Sequence, residues 1–396
     1  MSIKARFSPL LEQRQQQHLY RSRPLVTSAQ TAKMQINGLA VINFSSNDYL
    51  GLANHPQIKQ ALIEGLQSEE ISYGAGAAHL VTGHHRQHHL AEEEIADWLG
   101  CERALLFSTG YMANLAVQQT LMQSNDIILA DKLNHASLID GALHSEATLK
   151  RYPHLNIQAL ERRLQQAAKS HIQTGGQSII VTDGVFSMDG DLAPLLETQR
   201  LAQKYNAWLL VDDAHGFGAL GENGKGCFEH FGLTPDENTI LVGTLGKAFG
   251  CSGAFVAGSA TLIEALIQFA RPYIYTTAMP QLNALAIRES LKLVKNAQAS
   301  RETLQQHIQQ FRQAALALGL TLWDSPSPIQ PIILGSSKIA LAWSESLKQQ
   351  GFWVSAIRPP TVPAGQARLR VTLSASHSSE QIVQLLQALK NCQAQF

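Results

Sequence analysis

The sequence has no excess charge of either sign. Its 396 residues carry thirty-one lysines and arginines against thirty-one aspartates and glutamates, so there is no general electrostatic case for nucleic acid or an anionic membrane surface as a partner. An anionic ligand must therefore be held locally. Cysteine is scarce too: Cys101, Cys227, Cys251 and Cys392 are too few for a disulfide framework and too far apart for zinc-type spacing. Free thiols in a reducing compartment are expected. No apolar run is long enough to cross a bilayer, and the N-terminus sets Lys4, Arg6, Glu12 and Arg14 among glutamines without the apolar stretch of a signal peptide. The expectation is a cytoplasmic protein without internal repeats or low-complexity tracts.

What is present is enough chain for one large core and one smaller one. Residues 1–45 are basic and glutamine-rich, with too few apolar positions for a core strand, and read as an arm. From 46 to 283, short apolar runs at 104–107, 127–130, 178–182, 208–211, 239–242 and 253–257 alternate with helix-like segments. That alternation predicts an α/β domain with a mostly parallel sheet covered by helices on both faces. From 284 to 396 the pattern changes. Leu304, Ile308, Phe311, Ala315 and Leu318 recur on one helical face, and strand candidates at 331–334 and 368–373 flank a proline-rich turn, which predicts a smaller α+β domain.

Three segments carry chemistry. The run 208–211 leads directly into Asp212-Asp213-Ala214-His215-Gly216, which puts two carboxylates and an imidazole at the carboxyl end of a buried strand, where open α/β sheets bind ligands. Taken alone, such an aspartate could also cap a helix, or hold a metal together with His215. The run ending at Val242 opens into Gly243-Thr244-Leu245-Gly246-Lys247-Ala248-Phe249-Gly250. A lysine that forms imines needs partial desolvation or nearby positive charge, and close approach of the backbone to its ligand, which glycines permit; a surface lysine in a flexible loop would give the same string. The third segment, Ser108-Thr109-Gly110-Tyr111-Met112-Ala113-Asn114, lies between a strand and a helical stretch. There, free amides and the helix dipole hold phosphate. It has neither the Lys-Ser/Thr ending of a P-loop nor the glycine spacing of a dinucleotide fingerprint, which favours a smaller phosphate ester over ATP or NAD.

In their order along the chain these segments resemble pyridoxal-5′-phosphate (PLP) enzymes of the aspartate aminotransferase fold, fold type I, and more narrowly the α-oxoamine synthase family. Further carriers of the resemblance are Asn47-Asp48-Tyr49-Leu50-Gly51-Leu52, Asn134-His135-Ala136-Ser137, the stretch from Asp183 through Ser187 to Gly190, and Arg368-Leu369-Arg370. The resemblance spans nearly the whole chain. It implies that Lys247 holds the cofactor as a Schiff base and that Asp212 keeps the pyridinium nitrogen protonated. It implies also that His135 stacks on the ring, His215 bonds its phenolic oxygen and Ser187 lines its other polar edge. The phosphate would be held by the amides of Gly110 and Tyr111 and the Thr244 hydroxyl, with Thr276 or Thr277 reaching over from a second subunit of a homodimer. Thr109, Tyr111 and Asp183 stand at positions where family members differ.

The string Ala356-Ile357-Arg358-Pro359-Pro360-Thr361-Val362-Pro363 is similar to that of members that join L-alanine to a pimeloyl thioester, on CoA or acyl carrier protein, in biotin biosynthesis. That resemblance implies that Arg370 takes the alanine carboxylate, that Arg21 and Arg358 meet the acyl end or the thioester's phosphates, and that Asn47 and Thr361 also contact substrate. Arginine suits such tasks, because its planar fork grips carboxylates with paired charge-assisted hydrogen bonds. Other readings are a glycine- or serine-using family member and a PLP-binding module without turnover. Gly83-His84-His85-Arg86-Gln87-His88-His89 has imidazoles at zinc-compatible spacing, but contains no HExxH glutamate and coincides with a glycine-rich turn of the family. No functional metal is expected.

Overall fold

The computed structural model describes residues 1–17 and 19–395. The chain divides into two compact units: the larger holds Asn47–Ser187 and Asp191–Glu302, and the smaller gathers Met1–Ser46, Met188–Gly190 and the chain from Thr303 onward. The boundary expected at 284 falls inside the helix Gln281–Lys295, all of which belongs to the larger unit. That helix buries Ala284, Ile287, Leu291 and Val294 and packs on the helices Pro56–Gln67 and Arg86–Leu99.

Among the described residues, the larger unit has one seven-stranded sheet. Its order is Arg103–Phe107, Ala254–Gly258, Thr239–Thr244, Trp208–Asp212, Ser178–Asp183, Ile127–Asp131, Thr148–Tyr152. Ala254–Gly258 runs antiparallel to both neighbours, and every other pair is parallel. This is the mostly parallel α/β sheet that the apolar runs predicted. The central strands are short unbroken runs of Val, Ile, Leu and Ala because helices cover both of their faces. Val181, Leu210, Val242 and Val256 pack with Ala113, Ala116 and Val117 of the helix Gly110–Leu121 and with Ile263 and Leu266. Thr148–Tyr152 was not read from the sequence. It is an edge strand in which Tyr152 alone is fully buried, so the apolar run that marks an interior strand is missing.

In the smaller unit the presumed arm contributes more than a cover. Lys33–Ile36 and Leu39–Asn43 form a hairpin through Asn37 and Gly38, at φ +52° and +78°, the left-handed pair that a tight two-residue hairpin turn requires. Phe352–Trp353 adds a parallel third strand, and Met34, Ile36 and Val41 close a small core with Val26 and Trp353. The predicted helical face is present in the helix Gln298–Ala317, where Leu304, Ile308, Phe311 and Ala315 are buried. Leu318, one residue beyond that helix, is half-buried. The expected C-terminal strands pair as Ile329–Gly335 with Ala367–Thr372, flanked by Ser355–Ile357.

The loop that carries Lys247 ends at Gly250, at φ +64°. An added β-carbon there would collide with the backbone of Leu52 and Ala53, which has no flexible end to move aside. Gly250→Ala should therefore cost about 2–3 kcal/mol and lower the melting temperature by several degrees in a thermal scan.

Candidate active site

The functional side chains of the larger unit gather at the carboxyl ends of the parallel strands. Asp183 and Asp212 close adjacent strands in register with each other. Asp212 is buried. Its Oδ1 accepts the Ala214 N–H at 3.1 Å and its Oδ2 accepts from the Asn114 amide at 2.6 Å. Asn114 also donates to the Ser137 hydroxyl at 2.9 Å, so the helix that starts at the phosphate-type turn reaches the aspartate from its second turn. Asp213 points elsewhere. Its Oδ2 accepts the Cys227 N–H at 2.5 Å, and added β-carbons on Gly184, Gly216 or Gly226 would run into its carboxylate. Burial pushes the Asp213 carboxyl up to about 6, so it is a buried structural acid.

Lys247 Nζ lies 2.9 Å from His215 Nε2, and His215 Nδ1 lies 2.5 Å from the Tyr49 hydroxyl. A protonated Lys247 amine can only donate, in which case Nε2 accepts and the His215 proton faces Tyr49 from Nδ1. Tyr49 is fully buried, with its hydroxyl 3.3 Å from Asn47 Oδ1. Tyr49 and Asn114 stand inside motifs that the sequence marks, but nothing local shows their roles, because their partners lie 166 and 98 residues away along the chain.

His135 caps the helix Ala136–Leu143: its Nδ1 accepts the Ser137 N–H at 3.2 Å and lies 2.7 Å from the Ser137 hydroxyl. The ring proton is therefore on Nε2. Burial lowers the His135 pKa, the Asp212 charge opposes that and Lys247 adds to it, so the imidazole is neutral near pH 7. The His135 N–H donates to Asp183 at 2.7 Å. Burial first and the Asp212 charge second push the Asp183 carboxyl well up.

Thr109 caps the helix Gly110–Leu121 by accepting the Met112 N–H, which leaves the amides of Gly110 and Tyr111 at the positive end of the dipole. A β-carbon on Gly110 would lie 3.9 Å from the β-carbon of Thr244, so the turn and the threonine share one cradle. The Tyr111 ring is exposed and its hydroxyl donates to Asp140. Ser187 is half-buried at the end of its segment of the larger unit. Thr276 and Thr277 stand after the short helix Arg271–Ile274, where the Thr276 hydroxyl bonds the Thr277 carbonyl at 3.4 Å.

The smaller unit holds the expected arginines. Arg21 and Arg358 line one cavity of about 670 Å³ together with Tyr20, Lys348 and Trp353. Burial, then the Arg21 charge, lowers the Arg358 pKa, the mark of two cations in one site. The Thr361 N–H donates to the Arg358 carbonyl at 3.1 Å. Arg370 is buried and donates to Thr372 at 2.9 Å. Its neighbour Arg368, also buried, is gripped by Asp189 at 2.5 Å.

In the histidine cluster the structure adds His79, whose Nδ1 lies 3.1 Å from that of His84, with His88 beside them. His88 has both nitrogens committed: Nδ1 accepts the His85 N–H at 3.0 Å and Nε2 donates to the Met279 carbonyl at 2.8 Å. Ligating a metal would cost it one of these bonds.

The chain is similar over residues 40–389 to the family described as aminotransferase class I and II, and it belongs to that family. It is 69% identical to the 8-amino-7-oxononanoate synthase of Hydrogenovibrio crunogenus over 100% of this chain and 98% of that one. It is 53% identical to that of Stutzerimonas stutzeri over 97% and 96%. Within the class it belongs with the 8-amino-7-oxononanoate synthases, PLP-dependent acyltransferases of biotin biosynthesis. Among solved structures, it matches a Sphingomonas wittichii serine palmitoyltransferase at TM-score 0.92 and 29% identity, covering 100% of this chain and 99% of that one. The 8-amino-7-oxononanoate synthase of Francisella tularensis matches at TM-score 0.75 and 36% identity, covering 89% and 97%. The residues present fit the cofactor: a buried carboxylate held by two donors, a lysine beside an imidazole, and a glycine turn sharing a cradle with a threonine.

Burial depresses His79 to about 3 and His88 and His377 to about 4. Each stays neutral in the fold while the unfolded chain takes up a proton below about pH 6.5, so each contributes stability above that pH that is lost as pH falls towards the folded value. Together they add up to about 4 kcal/mol per pH unit of acid sensitivity. Urea titrations between pH 7 and 4 should show stability falling steeply below pH 6.5, and His377→Gln should flatten that fall by about a third.

Proposed function

We propose that this chain joins L-alanine to a pimeloyl thioester, carried on CoA or acyl carrier protein, as a homodimer with shared active sites. The products are 8-amino-7-oxononanoate, carbon dioxide and the free thiol. The observation that supports this most is the Lys247–His215–Tyr49 chain beside the doubly bonded Asp212. When bound, PLP drains negative charge from the substrate's α-carbon into its ring.

Lys247 is the covalent anchor of the cofactor. Its Nζ would also take the α-proton, oriented by His215 through the 2.9 Å contact. Asp212 would face the ring nitrogen and hold a proton there, its carboxylate aimed by its bonds to Asn114 and Ala214. His135 would stack on the ring, with its Nε2 proton available to the acyl carbonyl. Ser187 and His215 meet the ring's polar edge. The amides of Gly110 and Tyr111 and the Thr244 hydroxyl hold the phosphate, joined by Thr276 or Thr277 from the second subunit. Arg370 holds the alanine carboxylate. Arg21 and Arg358 take the far carboxylate or the carrier's phosphates, and Asn47 and Thr361 complete the substrate contacts. The α-carbon bonds to the thioester carbonyl as the thiolate leaves; the alanine carboxylate then departs as carbon dioxide, and a proton returns to the same carbon.

Mass spectrometry of reactions with each pimeloyl thioester and L-alanine, glycine or L-serine tests the reading. The 8-amino-7-oxononanoate mass is expected with alanine, and a product with glycine or serine alone would overturn it. Borohydride should trap the cofactor on Lys247, and Lys247→Ala should abolish the adduct. Asp212→Asn should slow turnover on the order of 10³-fold while Asp213→Asn slows it less. Arg21→Ala should raise KM for the thioester by roughly tenfold or more with alanine binding unchanged, whereas Arg370→Ala should weaken alanine.

A further inference from the structure

Outside these assignments, the larger unit contains an imidazole held between two buried carboxylates. His154 Nδ1 lies 2.9 Å from Asp131 Oδ1, and its Nε2 lies 3.0 Å from Asp191 Oδ2. Asp131 ends the strand Ile127–Asp131 and precedes the segment that carries His135. Its carboxylate also accepts the Leu133 and Leu155 N–H groups, both at 2.8 Å. Asp191 returns the segment that carries Ser187: its carbonyl accepts the Phe186 N–H at 3.0 Å, and Val185 bridges Leu192. Leu155, next to His154, sits at φ +54°, a left-handed conformation that costs a branched residue energy and persists only where surrounding bonds hold it. Those bonds converge on Asp131.

We propose that His154 is a positioning residue that clamps Asp131 to Asp191 and so sets the spacing of the segments bearing His135 and Ser187. The proposal rests on reading those two residues as cofactor contacts. Two carboxylates on opposite sides of one ring each need a proton from it, which only the doubly protonated imidazolium supplies. The groups facing the ring are Asp131, Asp191 and, edge to face, Phe186 at 4.5 Å between centroids; the Asp131 charge is also felt at Tyr152 and Asp183. Burial opposes the charge, but the two carboxylates outweigh it and raise the His154 pKa to about 9. A raised histidine pKa gives a contribution that is complete below about pH 6.5 and lost as pH rises through about 9. Above that, Asp131 and Asp191 are left with one ring proton between them.

The test compares holoenzyme of wild type, His154→Gln and Asp191→Asn from pH 7 to 10. It reads cofactor retained after gel filtration, kcat and KM, and amide exchange over residues 131–137 and 184–187. Wild type should hold its cofactor to pH 8 and loosen through a transition near pH 9. His154→Gln should retain cofactor poorly already at pH 7.5 and lose roughly tenfold in kcat with KM for alanine within about twofold. It should exchange faster in both segments and show no transition near pH 9. Asp191→Asn removes one of the two charges that raise the pKa, so its transition should move to lower pH; this variant decides the matter if the glutamine variant does not fold. A His154→Gln protein with lowered melting temperature but wild-type retention and an unchanged alkaline transition would overturn the proposal, as would an Asp191→Asn transition that stays in place. If wild-type protein bound no PLP at any pH, the active-site reading would fail, and faster exchange of the two segments in the variants would still decide for or against the clamp.

Discussion

The candidate site of this chain depends on the donors that hold the buried carboxylate of Asp212 in place. A buried carboxylate reverts to the neutral acid unless donors and nearby positive charge offset its lost hydration. Asp212 has both: an amide from Asn114, a backbone N–H from Ala214 and, close by, the Lys247 charge that is felt at His135 and Asp183. Asp183, in register with it on the next strand, has its carboxyl driven upward by burial and by the Asp212 charge.

The same logic extends along the carboxyl edge of the sheet. Asp131 and Asp191 are joined through the ring of His154. Asp213 is buried behind the site and spends its oxygen on the Cys227 amide. These five aspartates on neighbouring strands and loops thus have different environments, set by whether each faces a cation, an amide, another acid or a glycine-lined wall. Fixed groups of this kind prepare a site before its ligand arrives, which is how binding energy is converted into positioning.

The fold was legible where packing leaves a pattern in the residues. Interior strands such as Ser178–Asp183 and Thr239–Thr244 are apolar throughout because both faces are covered. The edge strand Thr148–Tyr152 and the hairpin at 33–43 are mostly polar on their open faces, so they passed as connecting chain, although Asn37-Gly38 is a turn signal in its own right. Glycines around Lys247 and the acid-rich end of Trp208–Asp212 stood out for the same reason as the strands: the constraint acts on neighbours in sequence.

The sequence by itself determined the fold class and singled out Lys247, Asp212 and the turn at Gly110 as candidates, because strand burial, close backbone approach and helix capping each restrict residues that are adjacent along the chain. The tertiary structure alone decided that Asn114 serves Asp212, that Tyr49 serves His215, that Asp213 is structural, and that His154 joins Asp131 to Asp191. These pairings form between residues that only the sheet order brings together. A hydrogen bond across 166 residues restricts each partner too weakly to leave a local signature.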